Sequence, residues 1–152
     1  MSPKHRQIMC MNIKKFENIN TLESTLVKKI SLCVSDAIKK YGDARLLLSG
    51  GSTPINLYSL LSKENVDWGK VKIGLVDERF VDQKSEYSNE SHIKSNLVKN
   101  CAKTAILSSM VCCIDNESLN LEMVSNSYSC FMERTDFTLL GMGNDGHTAS
   151  IF

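Results

Sequence analysis

A chain of 152 residues with 42% hydrophobic and 23% charged side chains has the composition of an ordinary folded domain, which excludes disordered, fibrous and collagen-like classes. Its 18 Lys and Arg against 17 Asp and Glu leave a formal charge of +1, so no global field draws it to nucleic acid or to an anionic membrane, and any anion must be held locally. No apolar run approaches the ~18 residues of a membrane span, and the six cysteines (Cys10, Cys33, Cys101, Cys112, Cys113, Cys130) lack C-x-x-C or zinc spacing, so they read as reduced structural thiols of a cytoplasmic protein.

Residues 1–10 are basic but lack the apolar stretch of a secretory signal. With Met11 behind them they read as a disordered leader, and residues 11–152 as a single domain. A strand candidate covers 12–16. The run from Asn20 to Tyr41 has Leu22, Leu26, Ile30, Val34 and Ile38 on one stripe and predicts a helix. Asn20 is its expected N-cap, Glu23 the capping-box partner, and Gly42 its left-handed stop. Ala44 to Leu48 is a short apolar run that halts at a Gly-rich turn, as a buried strand does. Pro54 suits the first turn of the next helix, whose apolar face is Leu57, Leu60 and Leu61. Val71 to Val76 is a second strand, and Ser88 caps a helix running through Ile93 and Leu97 to about Lys99. Residues 100–115 are ambiguous, with a strand candidate at Val111 to Ile114. Asn116 to Phe131 predicts a helix, and Phe137 to Leu140 a third well-marked strand.

Strands separated by helices imply an α/β fold, a doubly wound and mainly parallel sheet with helices on both faces. Ligands of such sheets gather beyond the carboxyl ends of the strands. Three polar clusters stand there: Ser49 to Thr53, Asp77 to Arg79, and Gly141 to His147.

In the first cluster, Ser49-Gly50-Gly51-Ser52-Thr53-Pro54 lacks the Gly-Lys-Ser/Thr ending of a Walker loop, which argues against a nucleoside triphosphate. Gly50 and Gly51 let the backbone approach closely, Ser52 and Thr53 add hydroxyl donors, and the following helix is expected to aim N–H groups at a small phosphorylated molecule. A plain tight turn is the alternative. In Asp77-Glu78-Arg79 the guanidinium offers a planar fork for phosphate or carboxylate, against the bland reading of a solvated charge run. The third cluster, Gly141-Met142-Gly143-Asn144-Asp145-Gly146, satisfies G-x-G-x-x-G, but the acidic residue a dinucleotide pocket wants ~20 positions later is missing. An imidazole at His147 that accepts a proton near neutral pH, with Asp145 two residues away to orient it, instead suits activation of water for attack on a carbonyl.

Taken together, Ser49 to Pro54, Val76-Asp77-Glu78-Arg79-Phe80-Val81, Ser88-Asn89-Glu90 and Leu140 to Phe152 resemble the 6-phosphogluconolactonase family. The resemblance implies a fold of the glucosamine-6-phosphate and ribose-5-phosphate isomerase type. It also implies hydrolysis of 6-phospho-D-glucono-1,5-lactone in the oxidative pentose phosphate pathway, with no metal, no cofactor, and a sugar-phosphate lactone as partner. By position, His147 resembles the base that activates water, with Asp145 beside it. Arg79, Asp77, Gly143 and the loop Gly50, Gly51, Ser52, Thr53 resemble catalytic, substrate and phosphate contacts. The sibling deaminase and isomerase class reads Asp-Glu-Tyr where this chain has Asp77-Glu78-Arg79. It also places a ring-opening glutamate where this chain has Phe152. Ring opening needs that carboxylate as a proton shuttle, whereas lactone hydrolysis needs only water, a base and oxyanion stabilisation.

Members of the resembled family continue beyond the position of Phe152 and supply a further phosphate-binding lysine. The expectation is therefore the N-terminal portion of a lactonase fold, with any helix starting at His147 too short to hold itself together. A catalytically inactive remnant and a sugar-phosphate-binding module remain the alternatives.

Overall fold

The computed structural model describes residues 12–151. The leader assigned to residues 1–10 lies outside them. Eight regular elements follow in the order α1 (Ile19–Tyr41), β1 (Ala44–Leu48), α2 (Ile55–Leu61), β2 (Val71–Leu75), α3 (Asn89–Asn96), β3 (Ile106–Leu107), α4 (Glu117–Glu133) and β4 (Phe137–Leu139), with 3-10 turns at Trp68–Lys70 and Asn100–Thr104. All pairings are parallel, in the order β3-β2-β1-β4. This is the α/β sheet the alternation of elements predicts.

The strands alternate sides. Leu46 and Leu48 of β1 and Ile73 and Leu75 of β2, each 0–1% exposed, point into one cluster with Val27, Ile30 and Val34 of α1, Leu57 and Leu61 of α2, and Ile93 of α3. Burying each such side chain contributes about 1.5–3 kcal/mol. The opposite face carries Leu47 and Gly74, paired in register, and here Phe131 of α4 packs on the bare backbone of Gly74. Helices thus cover both faces. Tyr128, also on α4, accepts a hydrogen bond from Leu75 N at 2.8 Å and donates to Ser108 O at 3.2 Å. Burial pushes its phenol up to about 12, which keeps it a donor.

Side-chain chemistry moves several elements from their expected places. α1 begins at Ile19 with Asn18 as N-cap, its carboxamide oxygen accepting from Thr21 N at 2.9 Å; Asn20 lies inside the helix. Glu23 is not a capping-box partner: it is 5% exposed and accepts from the Asn56 side chain of α2. The buried stripe is accordingly Glu23, Val27, Ile30, Val34 and Ala37, rotated from the apolar stripe, with Leu22, Leu26 and Ile38 half-buried. Gly42 does close α1 at φ +86°. In α2, Tyr58 takes the buried place expected of Leu60.

Residues 12–16 form no strand, and Ile13 stands exposed. The candidate strand at Val111 to Ile114 is also irregular, because the buried Asn120 of α4 takes its backbone: Asn120 Oδ1 accepts from Cys112 N and Cys113 N, and Nδ2 donates to Met110 O. Groups so engaged cannot join a ladder. The third parallel partner is instead the two-residue β3.

At the amino ends of the strands a charged belt binds α4 and β4 to β1. Asp43 meets Arg45, Arg134 and Lys72, while Asp136 Oδ2 accepts from Arg45 N at 2.8 Å. Burial pulls the Asp43 carboxyl upward, but Arg134 and Arg45 outweigh it and hold the group below the usual carboxylate range. The carboxyl ends of the strands lie at the opposite side of the sheet. No helix among the described residues is long and apolar enough to cross a membrane.

Candidate active site

The strands β1, β2 and β4 each give way at the carboxyl end to one polar cluster. After β1 the chain turns through Ser49, Gly50 and Gly51, and Gly51 adopts φ +85°, a left-handed conformation that a side chain would strain. Ser49 stitches this loop to the one after β4. Its N–H and its hydroxyl both donate to Leu139 O, and its Oγ accepts from Gly141 N at 3.2 Å. The Ser49 carbonyl accepts from Tyr58, whose phenol burial pushes upward, so that it stays a donor. One serine thereby carries the β1–β4 ladder a step past its last paired residues.

After β2, neighbouring carboxylates diverge. Glu78 turns to α3, where it accepts from Ser88 Oγ at 3.0 Å, Asn89 N at 2.7 Å and Glu90 N at 2.8 Å, satisfying the orphan donors of the first helical turn. Asp77 turns to the cleft. Its Oδ2 accepts from Ser150 Oγ at 2.9 Å, tying the last loop to β2, and its backbone carbonyl accepts from Asn89 Nδ2 at 3.0 Å. Arg79 is exposed and donates through Nη1 to Tyr87 O at 2.6 Å, which fixes one arm of the guanidinium.

After β4, the loop winds into a tight turn. Gly143 N donates to His147 O at 2.8 Å and Gly146 N to Gly143 O at 3.0 Å, with Gly146 at φ +91°. Inside it His147 Nδ1 lies 2.5 Å from Asp145 Oδ1. The hydrogen bond from His147 holds the Asp145 carboxyl below its ordinary range. Gly143 must be bare: a Cβ there would fall 2.3 Å from His147 Cε1 and 2.4 Å from Nδ1. Residues 148–151 close with a bridge between Thr148 and Ile151 rather than a helix, and Ala149 sits at φ +53°.

These loops border one cleft of about 370 Å³. Gly50, Gly51 and Thr53 line it from the first loop, Asp77 and Arg79 from the second, Gly143 and His147 from the third, while Leu22 and Leu26 of α1 form an apolar wall. Asp145 stands behind the imidazole. Ser52, expected as a hydroxyl donor to the site, is exposed and is not part of the lining. The helix expected to aim N–H groups at the site, α2, has only seven residues, so its dipole adds little. Ser49 and Asn89 line the cleft and belong to motifs singled out in the sequence, but carried no assigned role there. Ser49 looks like one more turn hydroxyl, and Asn89 like an ordinary first-turn residue; the usable signal was that Asn89 begins the helix after β2, at the same rim as the other clusters.

Residues 17–152 match the family described as glucosamine-6-phosphate isomerases/6-phosphogluconolactonase. Among curated proteins, the chain is similar to a 6-phosphogluconolactonase of Rhizobium meliloti (strain 1021), 35% identical over 95% of this chain and 62% of that protein. It is equally similar, at 35% identity, to one from Neisseria meningitidis serogroup B over 91% of this chain and 60% of the relative. Of solved structures, a 6-phosphogluconolactonase from Shewanella baltica OS155 superposes with a TM-score of 0.86 at 38% identity, covering 91% of this chain and 60% of the other. The chain therefore spans about 60% of the length of the curated relatives it matches.

Proposed function

The chain belongs to the glucosamine-6-phosphate isomerase/6-phosphogluconolactonase family, and from that premise we propose that its cleft serves hydrolysis of 6-phospho-D-glucono-1,5-lactone to 6-phosphogluconate in the oxidative pentose phosphate pathway. The observation that carries this reading is the Asp145–His147 pair, held at 2.5 Å on the rim of the cleft that Arg79 and Gly50 also line. With Nδ1 donating to the carboxylate, Nε2 is the basic nitrogen. It takes a proton from water as the water oxygen bonds to C1 of the lactone. The C1 carbonyl becomes a tetrahedral oxyanion, the C1–O5 bond breaks as the carbonyl re-forms, and the imidazolium returns its proton to O5. A base so placed supplies about 10²–10⁴-fold. The guanidinium N–H groups of Arg79 not engaged by Tyr87, with the backbone of Gly50 and Gly51, suit the phosphoryl group or the oxyanion. Position 152, occupied by Phe, provides no carboxylate for aldose ring opening.

The test is release of 6-phosphogluconate measured against the spontaneous rate. Acceleration by the chain that disappears in His147→Ala supports the proposal, and a rate equal to buffer overturns it. A second reading, binding without turnover, is favoured by the exposure of the Asp145 side chain, 68%, since water competes there for the bond that orients the imidazole. Saturable binding of 6-phosphogluconate with no acceleration would select it.

A further inference from the structure

We infer that Asn89 is a substrate-contacting residue, its side-chain carbonyl accepting a hydrogen bond from a hydroxyl of the sugar; this rests on the sugar-phosphate reading above and adds the residue that would recognise the sugar rather than the phosphate. Asn89 opens α3 and is 3% exposed, yet it lines the cleft with Gly50, Asp77 and Arg79. Its backbone is fixed from below by Glu78, which accepts from Asn89 N at 2.7 Å and Glu90 N at 2.8 Å.

The orientation of its amide follows from its partner. Nδ2 lies 3.0 Å from Asp77 O, and a backbone carbonyl only accepts, so nitrogen must face Asp77 and oxygen must face away. On that other side is Gly50, where a Cβ would fall 2.1 Å from Asn89 Oδ1 and 2.2 Å from its Cγ. The first loop thus passes over the carboxamide so closely that only glycine fits. Among the described residues no donor is hydrogen-bonded to Oδ1. A carbonyl in this position gains from any ligand that brings a donor.

The groups of the cleft then sort by polarity. Arg79 and the backbone N–H groups of the glycine loop only donate, which suits phosphoryl oxygens. Asn89 Oδ1 and the Asp77 carboxylate only accept, which suits hydroxyl groups and repels a phosphoryl dianion. Asn89 therefore distinguishes a polyhydroxylated phosphate from phosphate alone.

The experiment is titration of the chain with 6-phosphogluconate and, separately, with inorganic phosphate, followed through amide resonances. Asn89→Ala is expected to weaken 6-phosphogluconate about three- to tenfold while leaving inorganic phosphate unchanged. In the unsubstituted chain, the Asn89 side-chain amide resonances are expected to shift with 6-phosphogluconate and not with phosphate, a readout that does not depend on any variant folding. Equal losses for both ligands in Asn89→Ala, or a silent Asn89 amide at saturating 6-phosphogluconate, overturn the inference. A chain that binds neither ligand overturns the sugar-phosphate reading itself, a distinguishable failure.

Discussion

The Ser49 hydroxyl stands between two backbone groups of the loop after β4, accepting from Gly141 N at 3.2 Å and donating to Leu139 O at 3.1 Å. A single side chain thus sets where the histidine loop leaves the sheet. Ser49→Ala is expected to cost about 1 kcal/mol of stability, the worth of an ordinary hydrogen bond. It is also expected to speed hydrogen exchange at Gly141 and Gly143 while the α1 amides keep their protection, which exchange mass spectrometry can check.

The Asp145–His147 pair predicts a specific titration. The hydrogen bond from His147 depresses the Asp145 carboxyl, so the pairing is intact above the ordinary carboxylate range and is lost as pH falls through the depressed folded value. In His147→Ala the Asp145 carboxyl is expected to titrate higher than in the unsubstituted chain, followed by carbon-detected NMR. The same variant is expected to lower lactone hydrolysis about 10²–10⁴-fold.

Gly143→Ala tests the close approach of the turn to the imidazole. Its Cβ would meet His147 Cε1 at 2.3 Å and Asp145 Oδ1 at 2.7 Å, so the pair must separate or the loop must move. Because the clash lies outside the core, the melting temperature is expected to fall little while the His147 ring resonances shift and activity drops with that of His147→Ala.

Glu78→Ala removes the carboxylate that satisfies the first turn of α3, leaving Asn89 N and Glu90 N without an acceptor. Both residues are buried, so a loss of about 1–3 kcal/mol is expected in urea unfolding. Glu78→Gln, which keeps one acceptor oxygen, is expected to recover part of it.

Glu90 makes stability depend on pH in the opposite sense to a paired carboxylate. Burial raises its carboxyl and Glu78 adds to this, while the Ser109 hydrogen bond and Lys94 oppose. The folded protein therefore holds this proton more tightly than the unfolded chain, and the destabilisation is absent below the ordinary glutamate value and grows as pH rises through the raised one. Glu90→Gln is expected to flatten that part of the stability profile, measured by denaturant midpoints across pH 4 to 7.

Much of the frame was legible because it is written in local signals: apolar runs that stop at Ser49, Asp77 and Gly141 mark three strand ends, and Ser88 caps its helix where its position suggests. The rest is set by side chains distant in sequence. Glu23 is buried against Asn56 of α2, a contact distant in sequence, so apolar periodicity finds Ile30 and Val34 on the inner face of α1 but leaves Leu22, Leu26 and Ile38 only half-buried. Asn120 diverts the backbone at Cys112 and Cys113 from a strand that its apolar residues suggest, and β3 is too short, with Ile106 exposed, to leave a pattern. At the site, individual loops could be read, but Ser49 and Asn89 act across loops, and such partners appear only once the sheet has brought them together.

The strand β4 is anchored twice over. At its base Asp136 grips Arg45 N, and just past its upper end Ser49 grips Gly141 N, both from or onto the same neighbour β1. The spacing from 136 to 141 is consequently a ruler measured against β1: one inserted or deleted residue there cannot be absorbed by sliding, because it also reverses which side chains face the core.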